Sequence, residues 1–176
     1  MNDVPLAGVL GHPIRHSLSP EIFDFLAKYL HFPLYYRRIE VQPQDLRAFL
    51  KWAQRFPLFV GWNVTLPHKE KVEQWIHSFS SEARDLGVVN VVQVNGKKLR
   101  GFNTDVWGIL QTLRENQISV RHRRGLILGA GGAALSAGYA LGKQGAREIW
   151  IWNRTPSKAR KAARALNRLF PRTKFQ

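Results

Sequence analysis

Leu126-Ile127-Leu128-Gly129-Ala130-Gly131-Gly132-Ala133-Ala134 joins a short apolar run to a cluster of glycines and then to helix-forming alanines. The apolar run predicts a buried strand over 126–128, the glycines a tight turn, and residues 133–143 a helix. The pattern then repeats. A strand is predicted over 148–152 and a helix over 157–170. In that helix Ala159, Ala162, Ala163, Leu166 and Leu169 form an apolar stripe opposite Arg160, Lys161, Arg164 and Arg168. Pro171 ends it, and residues 173–176 can only begin a third strand. Strand–helix–strand–helix order implies a parallel sheet, so the class is α/β.

A glycine turn between a strand and a helix permits close approach of a phosphate to the backbone. The helix N-terminus adds free N–H groups and partial positive charge. Gly129, Ala130, Gly131, Gly132 and Ala133 are therefore candidate cofactor-binding residues, although an ordinary strand–helix connection has the same appearance. The next strand separates the two cases. A loop that selects NAD presents an acid about 20 residues on, for the ribose 2′-hydroxyl. Here that strand ends in Asn153-Arg154-Thr155 with Lys158 beyond, and no acid is present. Arg154 can clamp a 2′-phosphate, with Asn153 and Thr155 as hydrogen-bond donors, so the expected cofactor is NADP.

The rest of the chain sets bounds. With 176 residues it is long for one compact domain and short for two. The absence of cysteine excludes disulfides and thiolate metal sites, and no metal site is expected. The start, MNDVPLAGVLGHP, lacks a basic n-region and an unbroken apolar core, so no leader is expected. No apolar run approaches a membrane span, and a cytoplasmic setting is expected. Net charge is +15 and unevenly spread: residues 121–176 carry 13 Lys/Arg against Glu148 alone. Such a region attracts anions, whether nucleotide phosphates or polyanions.

Residues 4–10 predict a strand. Ser19-Pro20-Glu21 reads as a helix start with a capping serine and proline in the first turn. Strands are expected over 34–41 and 56–60, helices over 43–53 and 69–76, and a turn over 61–67. Residues 88–94 and 98–101 bracket Asn95-Gly96, a hairpin signal. A helix starts at Thr104, and residues 121–124 read as a linker. Three polar segments interrupt this pattern. Ser17 and Ser19 place two hydroxyls at a helix start, a small anion site suited to a carboxylate, or in the plainer reading a cap. Lys69 follows a strand and a proline-locked turn, and Asp105 falls in the first turn of a helix. Each alone has an ordinary structural explanation.

Together the segments are more specific. Gly11-His12-Pro13-Ile14-Arg15-His16-Ser17-Leu18-Ser19-Pro20, Asn63-Val64-Thr65-Leu66-Pro67-His68-Lys69, Gly87-Val88-Val89-Asn90 and Gly101-Phe102-Asn103-Thr104-Asp105 closely resemble the shikimate dehydrogenase family. The glycine loop and the Asn153-Arg154-Thr155 turn follow in the family's order. The resemblance implies an N-terminal α/β substrate domain, here 1–108, and a Rossmann-like NADP-binding domain, here 109–176 and incomplete. It implies hydride transfer between 3-dehydroshikimate and shikimate, in aromatic amino-acid biosynthesis. By motif match Ser17 and Ser19 would bind the substrate carboxylate. Thr65, Asn90 and Asp105 would contact ring hydroxyls, and Lys69 with Asp105 would form the catalytic pair.

The chain departs from the family pattern at Phe23-Asp24 and at Val91. The family's cofactor domain also continues beyond the point where this sequence stops, so a C-terminally truncated chain is expected, active alone or through an assembly such as a homodimer. Two other readings stay open. One is a relative acting on quinate. The other is an inactive remnant that binds anions through its basic C-terminal region, although no nucleic-acid motif is present and nucleic acid is not an expected partner.

Overall fold

The computed structural model describes residues 4–176, so the first three residues of the N-terminal segment, and that part of the leader reading, lie outside the described residues. The chain divides into two compact units. Of the described residues, one comprises 4–80 and 89–102, the other 81–88 and 103–176.

The first unit is a mixed six-stranded sheet in the order β2-β1-β3-β5-β6-β4. β1 (Leu6–Gly11) pairs in parallel with β2 (Tyr35–Glu40) and β3 (Phe59–Val64). The intervening helices, α1 (Ser19–Tyr29) and α2 (Leu46–Ala53), make the two crossovers that parallel pairing requires. A short β4 (Ser78–Phe79) and the hairpin β5 (Val91–Asn95) and β6 (Lys98–Phe102) complete the sheet. The hairpin forms as expected: Asn95 pairs with Lys98, and Gly96 at the tip has φ +57°. Val9, Ile14 and Tyr36 are buried together, and Phe49, Phe59 and Trp62 meet ring to ring.

Three expectations are corrected. The strand expected over 56–60 is β3, which runs to Val64, so Gly61 and Asn63 lie in the sheet and not in a turn. Gly61 is needed because a Cβ there would sit 2.4 Å from the Val92 carbonyl oxygen of the neighbouring strand. The helix expected over 69–76 is only a 3₁₀ turn, Val72–Trp75, after a tight loop. The helix expected from residue 43 starts at Leu46, where the buried positions Leu46, Leu50 and Ala53 set its inner face. β4 and the helix α3 (Ser81–Leu86) carried no sequence signal.

In the second unit α4 (Thr104–Glu115) precedes a parallel sheet of β7 (Arg124–Leu128), β8 (Glu148–Trp152) and β9 (Lys174–Phe175), with α5 (Gly132–Lys143) and α6 (Pro156–Leu169) as its crossovers. Arg124, read as linker, is thus the first residue of β7. Ile127, Ile149, Ile151 and Phe175 pack with Ala140, Ala162, Ala163 and Leu166 of the helices. Alternation sends Leu126, Leu128, Trp150 and Trp152 to the other face, where Leu128 is 73 % exposed and Trp152 63 %. α5 and α6 approach closely because α5 has glycines at the contact: a Cβ on Gly138 would meet Leu166 at 2.4 Å, and one on Gly142 would meet the Phe170 ring at 2.6 Å. α3 joins this unit through side chains. The Tyr139 hydroxyl donates to Asp85 (2.8 Å), and Lys143 pairs with Glu82 (3.6 Å).

Gly61→Ala is expected to destabilise the first unit by about 1–3 kcal/mol, since the carbonyl it meets is backbone and cannot swing aside. Gly96→Asn should be nearly neutral, because the space there is open and Asn tolerates positive φ. Urea unfolding of the two variants measures the contrast.

Candidate active site

In the first unit the loops after β1 and β3 and the approach to β5 meet at one end of the sheet. The Thr65 N–H donates to the Leu10 carbonyl (2.8 Å), and the Val64 N–H to the Asn90 carbonyl (2.7 Å). The Val89 N–H donates to the Lys69 carbonyl (3.0 Å), and the Asn90 N–H to that of Phe102 (3.0 Å). These four backbone bonds bring Thr65, Lys69 and Asn90 together, with Asn90 buried and the other two half-buried. Gly11 allows the crossing of the first two loops, because a Cβ there would lie 2.6 Å from Thr65 Cγ2.

Ser17 and Ser19 lie on the loop after β1, and their role at the helix start differs from the expected cap. Leu18 occupies the cap position of α1, and no side chain caps the helix; Ser19 is already helical. The hydroxyls instead form a chain. Ser17 Oγ donates to Ser19 Oγ (3.2 Å) and accepts from the Ser19 N–H (3.3 Å). The Ser19 hydroxyl bonds that of Tyr36, which donates to Asn63 Oδ1 (2.6 Å). Burial pushes the Tyr36 phenol well above its ordinary range, so it remains a neutral donor. Each hydroxyl has one proton, and by turning it out of this chain the two half-buried serines, beside an uncapped helix start, can donate to an anion.

His68, between Thr65 and Lys69, is fully buried. Its Nε2 lies 2.8 Å from the Val41 carbonyl, which can only accept, so Nε2 carries the proton. Burial, with Lys71 and His12 nearby, holds its pKa below the ordinary value despite that bond.

Asp105 lies in the second unit, in the first turn of α4. Asn103 caps that helix: its Oδ1 accepts from the Val106 N–H (3.3 Å), while Nδ2 donates to the Val88 carbonyl (3.1 Å) and to Ser136 Oγ (3.0 Å). Ser136 in turn donates to the Gly132 carbonyl (3.0 Å), linking the start of α4 to the start of α5. The glycine loop and the Asn153-Arg154-Thr155 turn close the carboxyl ends of adjacent parallel strands, where Leu128 pairs with Trp152. Gly129 has φ +118°, which favours glycine, and its N–H donates to the Trp152 carbonyl (2.7 Å). α5 starts at Gly132 with no capping side chain, and the space beside Gly131 is open. Ala130 is half-buried and Ala133 exposed. Asn153 Nδ2 donates to the Thr155 carbonyl (3.0 Å), and Arg154, Thr155 and Lys158 are exposed. Among the described residues no His/Asp/Glu cluster could hold a metal, and no helix is long and apolar enough to cross a membrane.

Residues 9–92 match the model of the shikimate dehydrogenase substrate binding domain. A shikimate dehydrogenase (NADP(+)) of Caldanaerobacter subterraneus subsp. tengcongensis is 38 % identical over 163 residues, covering 93 % of this chain. Over nearly its whole length the chain is similar to shikimate dehydrogenases. It spans 58 % of the length of that relative. Shikimate dehydrogenase from Aquifex aeolicus superposes with a TM-score of 0.89 at 34 % identity, over all of this chain and 64 % of its own. The Thermus thermophilus enzyme, solved with NADP(H) and shikimate, gives 0.86 at 35 % identity, over 98 % of this chain and 63 % of its own. The α/β class and the Rossmann-like second unit agree with these shikimate dehydrogenase structures.

The sequence reading passed over Tyr36, Arg38 and Asn63. Asn63 stands inside the quoted motif, so its position was in view although its bond to Tyr36 was not. Nothing in Tyr35-Tyr36-Arg37-Arg38 marks which members face the serine loop until the strand's alternation is known.

His68 makes stability depend on pH. Its folded pKa is depressed, so the unfolded chain binds the proton more readily. Stability is complete above the ordinary histidine pKa of 6.5 and is lost as pH falls below it. His68→Gln, which keeps a donor for Val41, should flatten the fall of Tm between neutral pH and pH 5.

Proposed function

We propose that this chain carries the substrate and cofactor sites of an NADP-dependent oxidoreductase that interconverts 3-dehydroshikimate and shikimate. The observation that carries this reading is the hydroxyl chain Ser17–Ser19–Tyr36–Asn63, whose far end lies on the strand leading to Thr65 and Lys69. It holds two half-buried serine hydroxyls, which can turn their protons to a carboxylate, beside a turn that offers a hydroxyl, an ammonium and an amide. In this reading the first domain, 1–108, binds substrate, and residues 109–176 hold part of the cofactor domain.

Ser17 and Ser19 bind the carboxylate and fix the ring's orientation. Thr65, Asn90 and Asp105 hold ring hydroxyls. When bound, NADPH supplies the hydride that reaches the ketone carbon. Lys69 donates a proton to the ketone oxygen as negative charge develops there, and takes it back in the reverse direction. Asp105 orients the ammonium. The residues present fit the cofactor: the positive φ of Gly129, the open space beside Gly131 and the uncapped start of α5 leave room and N–H donors for a pyrophosphate. Gly129, Ala130, Gly131, Gly132 and Ala133 would line it. Asn153, Arg154, Thr155 and Lys158 would receive the 2′-phosphate, and the sequence has no carboxylate after Glu148 to repel it.

The test is shikimate-dependent reduction of NADP+ by the purified protein. Lys69→Ala should lower kcat by about 10²–10⁴-fold. Arg154→Ala should raise KM for NADP+ by about tenfold or more, with little change for NAD+. A wild type that shows no turnover and no stabilisation by shikimate would sink the reading.

A further inference from the structure

We infer that Arg38 is a positioning residue for the carboxylate site: by holding the Ser17 carbonyl from β2 it sets the pose of both serines and hence affinity for the substrate's carboxylate. This rests on the proposed role of Ser17 and Ser19.

Arg38 Nε and Nη2 both donate to the Ser17 carbonyl oxygen, at 2.9 and 2.6 Å, and Nη2 also bonds Glu21 Oε1. The guanidinium is thus gripped by two acceptors four residues apart, one before α1 and one in its first turn. The pair with Arg38 holds the Glu21 carboxyl below its ordinary pKa, so the ion pair persists at neutral pH. The grip matters because the usual device is missing. A helix start is commonly fixed by a capping Ser, Thr, Asp or Asn, whereas the cap position here is Leu18, whose side chain bonds nothing. Left to itself, the Ser17–Leu18 peptide could rotate. Ser17 Oγ both donates to Ser19 Oγ and accepts from the Ser19 N–H, so such a rotation would misdirect both hydroxyls.

β2 supports the two serines in parallel. Tyr36 and Arg38 are two residues apart and share one face of the strand, the first bonding Ser19 and the second Ser17. Arg37, on the opposite face, donates Nη1 to the Tyr36 carbonyl (2.8 Å) and lies over the Tyr35 ring, but reaches α1 only through a long pair with Asp24 at 3.8 Å, with its side chain 58 % exposed against 34 % for Arg38. A lysine at 38 would keep the charge but could not place two donors on one carbonyl. The function therefore resides in the fork and not in the charge.

The test compares Kd values by calorimetry for shikimate and its methyl ester, with wild type, Arg38→Met, Arg38→Lys and Glu21→Gln. Thermal unfolding of each variant checks folding. Arg38→Met should weaken shikimate about tenfold or more and the ester by less than about threefold, because only the acid needs both serines aimed. Arg38→Lys should resemble Arg38→Met, and Glu21→Gln should stay within about threefold of wild type, since the bonds to Ser17 survive. KM for NADP+ should not change. Unchanged shikimate affinity in folded Arg38→Met overturns the inference, as does an equal loss for acid and ester, or wild-type affinity in Arg38→Lys. Wild type that binds no shikimate overturns the functional reading and this inference with it. Wild-type binding alongside an unaffected Arg38→Met overturns the inference alone.

Discussion

A buried side-chain amide must find its hydrogen bonds inside the protein, and Asn103 finds them on three different segments. Its oxygen closes the first turn of α4, and its amide nitrogen serves the Val88 carbonyl and Ser136 of α5. Removing it would leave a buried carbonyl, a buried hydroxyl and a helix N–H short of partners, each costing on the order of 1–3 kcal/mol. In the second unit this one residue ties together α4, α5 and the 81–88 segment, beside the apolar packing and the Tyr139–Asp85 bond that also join them. Asp105, two residues on, and the glycine loop, four residues before Ser136 by way of the Gly132 carbonyl, take their positions from the same knot.

The first unit solves a similar problem with hydroxyls. Ser17, Ser19 and Tyr36 pass one donor along to the next and end on the Asn63 amide, so every member has a partner before any ligand arrives. Hydroxyls suit this task, because each can donate and accept and can rotate to whichever neighbour offers more. The site is held in shape by bonds made to the protein itself, while the serines keep an accessible edge.

The second unit was readable from sequence because its signals are local. A glycine loop between an apolar run and an amphipathic pattern has few alternatives, and the strand at 148–152 falls where expected. The hairpin at Asn95-Gly96 was legible for the same reason. Gly61 and Asn63 misled because both are turn formers in isolation. In the folded chain Gly61 serves the close passage of Val92, a contact 31 positions away that no local pattern reveals. Ser19 looked like a cap and Leu18 did not, yet Leu18 holds that place, since the start of α1 is fixed from β2. The motif residues Ser17, Thr65, Lys69, Asn90 and Asp105 could be picked out only as a set. Tyr36 and Arg38 could not be found without the strand alternation that aims them.

The outer face of the parallel sheet bears on how this stretch of chain, by itself, disperses in water. Leu126, Leu128, Trp150 and Trp152 form an apolar surface on a layer that other α/β proteins cover on both sides. The chain carries 27 Lys/Arg against 12 Asp/Glu, a net charge of +15. Dispersion in water is then a contest between contact attraction at the sheet and long-range repulsion between molecules. The repulsion extends about 10 Å at 0.1 M ionic strength and shrinks to about 3 Å at 1 M. For this stretch of chain by itself, added salt is expected to weaken the repulsion that opposes contact between the tryptophan faces.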